Sequence, residues 1–203
     1  RWWAVKGVDG KLGSGKTTRH FRRMPGLLSM SSFIDEDDVT WVRFGDGHVR
    51  RADDPKTACL VGDVVGEDVT LAEEEGTPHF DDAPLHLVTT SSLAWLAERR
   101  PTDQIDRRRF RPNLVIETDG AGLTEDGWLG RQLQIGETTV AIDMQTERCV
   151  MTTLAQGGLG VARGILTDLH RANASCLGVY AHVVSEGTIH IGDQVDADTA
   201  RRS

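Results

Sequence analysis

The chain has 203 residues, 27% of them charged and 38% hydrophobic, with a formal net charge of −8. That length supports a substantial core in one or two domains, and the balance of charged and apolar residues excludes both a disordered and a membrane-embedded chain, since no run of about 18 apolar residues is present. The acidic excess also argues against general nucleic-acid binding, which needs surplus Lys and Arg to neutralise phosphates.

Basic residues nevertheless cluster locally, at Arg19, Arg22 and Arg23 and again at Arg107 to Arg109 with Arg111. In an acidic chain such clusters suit a small anionic ligand, although a solvated basic face is the commoner explanation for any single one. Three cysteines, Cys59, Cys149 and Cys176, cannot all pair within the chain, and no cleavable signal pattern opens the sequence, so a reducing cytoplasm is expected. The chain begins on Arg1 inside the strand-like run Trp2 to Val5, which leads us to expect further sequence upstream.

In chain order, residues 1–8 read as a strand, Gly10 to Gly15 as a glycine-rich turn, and Pro25-Gly26 as a break. Thr40 to Phe44 alternates polar and apolar side chains, Gly45-Asp46-Gly47 has hairpin-turn chemistry, and His48 to Arg50 reads as the return strand. Asp54-Pro55 suits a helix start, with Asp54 as the cap and Pro55 in the first turn. Glu73 to Asp82 is acidic, carries Gly76 and Pro78, and reads as the loop joining two lobes, 1–83 and 84–203. Leu85 to Val88 is a predicted strand, Thr89 to Ser92 supplies cap hydroxyls, and Leu93 to Arg99 has helical propensity. A helix start carrying hydroxyls can seat an anion, but capping alone needs no ligand. Phe110 to Glu117 reads as a strand, Arg131 to Gly136 and Thr138 to Ile142 as two strands about a tight turn, and Ile165 to Asn173 as a helix. Gly178 to Val184, a turn at Gly187 and Thr188 to Asp193 are predicted to form a final hairpin. Many short strands with two or three helices predict a mainly β, α+β fold with a barrel-like core.

Gly10 to Thr17 matches the phosphate-loop pattern GxxxxGK[ST], with Lys16 and Thr17 in the phosphate and magnesium positions. The pattern needs a buried strand before it and a long helix after it. Lys6, Gly7 and Asp9 interrupt the first, and Pro25-Gly26 cuts the second short, so a hairpin loop is the better assignment. The seven histidines show neither HxxxH spacing nor a paired Cys-x-x-Cys, which argues against a zinc site built by the protein, and there is no GxSxG nucleophile elbow.

Cys149 stands out because Arg148 precedes it, and a cationic neighbour favours the thiolate that ligates metals or attacks sulfur. The alternative is a small buried hydrophobe, the commonest fate of a free cysteine.

Taken together and in order, Arg109-Phe110-Arg111-Pro112-Asn113, Trp128-Leu129-Gly130, Arg148-Cys149-Val150-Met151-Thr152-Thr153 and Gly192-Asp193 resemble the MOSC family, named for the C-terminal domain of molybdenum-cofactor sulfurase. That family includes the mitochondrial amidoxime-reducing component and bacterial proteins that reduce N-hydroxylated bases. The resemblance covers roughly residues 84–196, and residues 1 to about 75 resemble the smaller β-rich lobe that accompanies the MOSC-type barrel. It places a further strand, with a Lys-Ser cofactor contact, ahead of Arg1.

The resemblance implies that Cys149 is the molybdenum ligand in cofactor-binding members, or a persulfide carrier in members that relay sulfur. Arg111 and Asn113 match positions near the pterin and its phosphate, Arg148 and the turn Thr90-Ser91-Ser92 match further cofactor contacts, and either Lys16 or Arg19 matches a basic residue of the N-terminal hairpin. Molybdopterin offers a soft, dithiolene-bound metal for a thiolate and a phosphate for arginine and capped helix ends. Binding of pyridoxal phosphate is a further cofactor association considered for the family. The implied activity is reduction of small N-oxygenated substrates with electrons from a separate redox protein. Where many relatives continue Val-Asp-Pro after the paired threonines, this chain has Leu154-Ala155-Gln156-Gly157-Gly158, so an altered loop beside the cysteine is expected.

Overall fold

The computed structural model describes residues 2–75, 78–80 and 82–197. Contacts divide the chain into two compact units, Arg1–Asp81 with Ala155–Val161, and Asp82–Leu154 with Ala162–Ser203. The fold is mixed α+β and mainly β, with three α-helices and a sheet curled into a half-barrel. Among the described residues no helix is long and apolar enough to cross a membrane.

The first unit carries β1 (Trp3–Gly7), β2 (Leu12–Ser14), β3 (Phe21–Arg23), β4 (Ser31–Ile34), β5 (Thr40–Arg43), β6 (Val49–Arg51), α1 (Pro55–Val65) and β7 (Val69–Glu73). They form one sheet in the order β3-β2-β1-β7 and a second in the order β4-β5-β6. The predicted hairpin is β5 and β6, closed where the Phe44 N–H donates to the His48 carbonyl at 2.8 Å and Gly47 adopts φ 87°. In α1 the Asp54 side chain accepts from the Lys56 N–H, Pro55 occupies the first turn, and Gly66 ends the helix at φ 80°. Those are the local preferences of a helix start and stop.

The phosphate-loop pattern takes a different shape. Gly13 and Ser14 lie in β2, and the chain after Thr17 runs into β3 rather than opening a helix. A Cβ on Gly13 would stand 2.6 Å from Leu27 Cδ1 and 2.8 Å from Met24 Sδ, so a larger residue there would require those side chains to shift. Of the acidic stretch predicted as a loop, residues 76, 77 and 81 lie outside the described residues; 74, 75 and 78–80 carry no strand or helix.

The second unit carries β8 (Leu85–Thr89), α2 (Thr90–Arg99), β9 (Leu114–Ile116), β10 (Gln132–Ile135), β11 (Thr138–Glu147), α3 (Gly164–Asn173), β12 (Cys176–Ser185) and β13 (Val195–Ala197). Its six strands are ordered β13-β10-β11-β12-β8-β9. Alternation along β10 and β11 sends Leu133, Ile135, Val140 and Ile142 into one core cluster with Leu87, Val179 and Ala181. A second cluster joins Val88, Phe110 and Leu177 to Leu96 of α2 and Ile165 and Leu169 of α3. Leu177 and Val179, two apart, would share a face in a regular strand, yet they serve different clusters. Gly178 between them has φ 82°, and the β11–β12 register shifts between Gln145 and Glu147. A local bulge thus redirects the strand where it approaches the end of the sheet.

Two predicted elements differ from the structure. The strand expected from Phe110 to Glu117 is only Leu114–Ile116: Arg107–Arg109 forms a 3-10 turn, Arg111 is left-handed at φ 53°, and Pro112 has no N–H to give a ladder. The expected final hairpin does not form. β12 already uses both edges, against β11 and β8, so the last strand, β13, pairs antiparallel with β10 instead. The Gly192-Asp193 pair closes a turn, with Asp193 Oδ2 accepting from the His190 N–H at 2.7 Å beside Gly136, whose position admits no Cβ.

Candidate functional site

Cys149 lies just beyond the end of β11 and starts a 3-10 turn, Val150–Thr153, with its side chain half-buried. The following threonines hold that turn. Thr152 donates to the Cys149 carbonyl from its N–H at 3.2 Å and from Oγ1 at 3.0 Å, and Thr153 Oγ1 donates to the Val150 carbonyl at 2.7 Å. Both threonines are buried, so their hydroxyls find partners within the turn itself. This is a physical reason for the spacing Cys-x-x-Thr-Thr.

Two arginines brace the same turn in opposite directions. Arg148, beside the cysteine, donates to the Phe110 carbonyl at 2.8 Å and lies 3.3 Å from His86 Nε2. Its guanidinium stands 5.7 Å from the Phe110 ring centroid. Arg109, only 2% exposed, donates to the Gln104 carbonyl at 2.9 Å and to the Leu154 carbonyl at 3.3 Å, where the cysteine turn ends. The RFRPN and RC-x-x-TT segments, distant in sequence, are thereby joined at two points.

Arg111 and Asn113 are both exposed on this assembly. The left-handed Arg111 ends the 3-10 turn, its N–H donating to the Arg107 carbonyl at 3.2 Å. Asn113 extends the β8–β9 pairing: its N–H donates to the His86 carbonyl at 2.8 Å and its Oδ1 accepts from the His86 N–H at 2.9 Å. A glycine-free left-handed residue costs about 1 kcal/mol, and such costs gather where backbone direction matters more than stability.

The hydroxyl turn divides unevenly. Thr89, rather than Thr90, caps α2, accepting from the Ser92 N–H at 3.2 Å. Thr90 is half-buried and its Oγ1 accepts from the Thr118 N–H at 3.0 Å. Ser91 and Ser92 are buried. Ser91 Oγ lies 2.7 Å from Thr124 Oγ1 and accepts from Thr118 Oγ1 at 3.0 Å. Ser92 and Thr89 both donate to Oε2 of Glu125, each at 2.5 Å.

Glu125 was not among the residues singled out from the sequence, yet it is wholly buried and its Oε1 has no hydrogen-bond partner. Its carboxyl sits at the N-terminal end of α2, where Oε2 accepts from both hydroxyls. Thr124–Trp128, the 3-10 turn that carries it, ends on the first residue of the Trp-x-Gly motif, and Trp128 packs on the first core cluster. The only sequence signal was an acidic residue beside a tryptophan motif, which does not reveal burial.

Cys176, paired in register with Glu147, has its thiol held above the ordinary range by burial first and by Glu147 and Asp126 next, with Arg148 opposing. Ahead of it, Ala174 at φ 47° and Ser175 at φ 70° are consecutive left-handed residues, and the Ser175 carbonyl accepts from the Arg148 N–H at 2.8 Å. Replacing Ala174 by glycine should relieve the Cβ clash and stabilise the protein by about 0.5–1 kcal/mol; urea titration followed by tryptophan fluorescence checks this, and a lower midpoint would contradict it.

Arg111, Asn113, Arg148, Cys149 and Thr90 to Ser92 all belong to the second unit, whereas Lys16, half-buried, and Arg19, exposed, belong to the first. Among the described residues no group of three His, Cys, Asp or Glu side chains could hold a metal ion. A metal at Cys149 must therefore bring other ligands with it, and a lone half-buried thiol suits a soft, pre-chelated metal.

A mainly β, half-barrel domain that presents one cysteine on a braced turn is the class of protein this fold and site define. Residues 36–196 match the MOSC domain model, and the chain belongs to the MOSC domain family. This domain is associated with molybdenum-cofactor-binding proteins. Comparison with curated proteins gives no significant match.

Proposed function

We propose that the protein binds the molybdenum cofactor through Cys149 and acts as an oxidoreductase on small N-oxygenated substrates, receiving electrons from a partner redox protein. The observation carrying this is the half-buried Cys149 on its threonine-locked, arginine-braced turn in a chain of the MOSC family. The donor chemistry fits: a thiolate for the metal, exposed Arg111 and Asn113 and the half-buried Thr90 for the pterin and phosphate, with Arg148 holding the turn. When bound, the cofactor supplies two-electron removal of oxygen, and the protein orients it and excludes competing chemistry.

The accessibility of the same thiol also supports a second reading, a sulfur carrier with a persulfide on Cys149. Metal analysis and intact-mass measurement of protein from a cofactor-producing host separate the two. Near-stoichiometric molybdenum, lost in Cys149→Ala, is the expected result. A gain of one sulfur at Cys149 without molybdenum would transfer the assignment to the carrier, and absence of both would reject both.

A further inference from the structure

We propose that Arg109 is a positioning residue for Cys149, fixing the cysteine turn through the carbonyl at its exit; the functional meaning rests on the assignment of Cys149 above. A guanidinium that is 2% exposed is costly to bury unless its donors are used. Here they are directed at main chain: Nε at the Gln104 carbonyl, 2.9 Å, and a terminal nitrogen at the Leu154 carbonyl, 3.3 Å. The carbonyls at the end of a 3-10 turn lack partners within the turn, so Leu154 is where an outside donor has most influence on its shape.

The second brace runs the other way. Arg148 reaches the Phe110 carbonyl at 2.8 Å, one residue along from Arg109. The seven residues from Arg148 to Leu154 are therefore tied at both ends to the adjacent pair Arg109 and Phe110, with Cys149 inside the tied span. Thr152 and Thr153 fix the turn internally, and the braces fix where it sits. A planar fork can serve two carbonyls in different directions, whereas a lysine ammonium on one flexible stem holds neither orientation. Held this way, the thiol keeps one direction of approach, the requirement for a single protein ligand to a large cofactor.

The test uses metal-free full chain and iodoacetamide. Alkylation of each cysteine is followed by peptide mass spectrometry, with exposed Cys59 as internal reference and buried Cys176 as the reporter of general loosening. In R109K and R109Q the Cys149-to-Cys59 rate ratio is expected to change at least threefold while Cys176 stays slow. The control is Leu133→Ala, which truncates the first core cluster, to which no brace residue belongs, and should lower stability without changing the ratio. An unchanged ratio in the folded Arg109 variants, an equal change in Leu133→Ala, or failure of both Arg109 variants to fold overturns the proposal, the last because a purely architectural arginine predicts it. Because no metal is involved, this outcome is independent of the molybdenum content that tests the proposed function.

Discussion

Gly178→Ala is expected to destabilise the second unit by about 3 kcal/mol, one of the largest effects of any single added methyl group in this protein. Two independent costs coincide at this position. Its φ of 82° lies where an L-residue is strained, about 1 kcal/mol for alanine. An added Cβ would also overlap His86 Nε2 and stand 2.6 Å from the Leu87 carbonyl oxygen, an atom of the neighbouring strand that cannot rotate away. Forcing β8 and β12 apart would disturb the ring that faces Arg148, so loosening at the cysteine turn should accompany the loss. Urea denaturation followed by tryptophan fluorescence reads the first effect. A midpoint within experimental error of the wild type would mean that the bulge is not held as described.

Glu125→Ala is expected to cost a comparable amount, about 3–5 kcal/mol, by a different route. The substitution leaves a cavity and strips the acceptor from the Thr89 and Ser92 hydroxyls, both buried at the start of α2. Glu125→Gln preserves volume and an oxygen with two lone pairs that can accept both hydroxyls, and should cost about 1–2 kcal/mol, since its NH2 is buried at the position where Oε1 has no partner. The order Glu > Gln > Ala in stability, measured by thermal and urea unfolding, is the diagnostic. Equal stability of Gln and Ala would show that the hydroxyl bonds contribute little, and equal stability of all three would remove Glu125 from the architecture of the helix start.

These residues also show where sequence patterns stop being informative. Asp54-Pro55, Thr89 before an apolar run, and Gly45-Asp46-Gly47 act within a few residues of themselves, and the helices and the hairpin they signal are all present. The final hairpin failed for the opposite reason. Thr188 to Asp193 has strand-like composition, but whether a strand forms depends on a free edge, and β11 and β8 already occupy both edges of β12. The shortening of β9 is intermediate: Pro112 was visible, but the left-handed turn at Arg111 depends on the 3-10 segment before it.

For the site, the ordered motifs and the family resemblance they carry pointed to Cys149, Arg111, Asn113 and Arg148, which the structure places in one unit. Their partners were not legible. In the sequence Arg148 reads as a charge beside the thiol, but its guanidinium donates to the Phe110 carbonyl and contacts His86, both contributed by other segments. Asn113 spends its side-chain oxygen on strand pairing, and Ser92 spends its hydroxyl on Glu125.

By itself the sequence determined the α+β class, the helix starts, the local turns and membership of the MOSC family, since each rests on contacts or patterns within short spans. Tertiary structure alone decided the strand order, the buried carboxyl beneath α2 and the opposed arginines around Cys149. Those depend on groups 33 to 62 residues apart meeting in space, as Glu125 meets Ser92 and Arg148 meets His86, and a hydrogen bond's partner is set by the fold that brings it within about 3 Å rather than by its place in the chain.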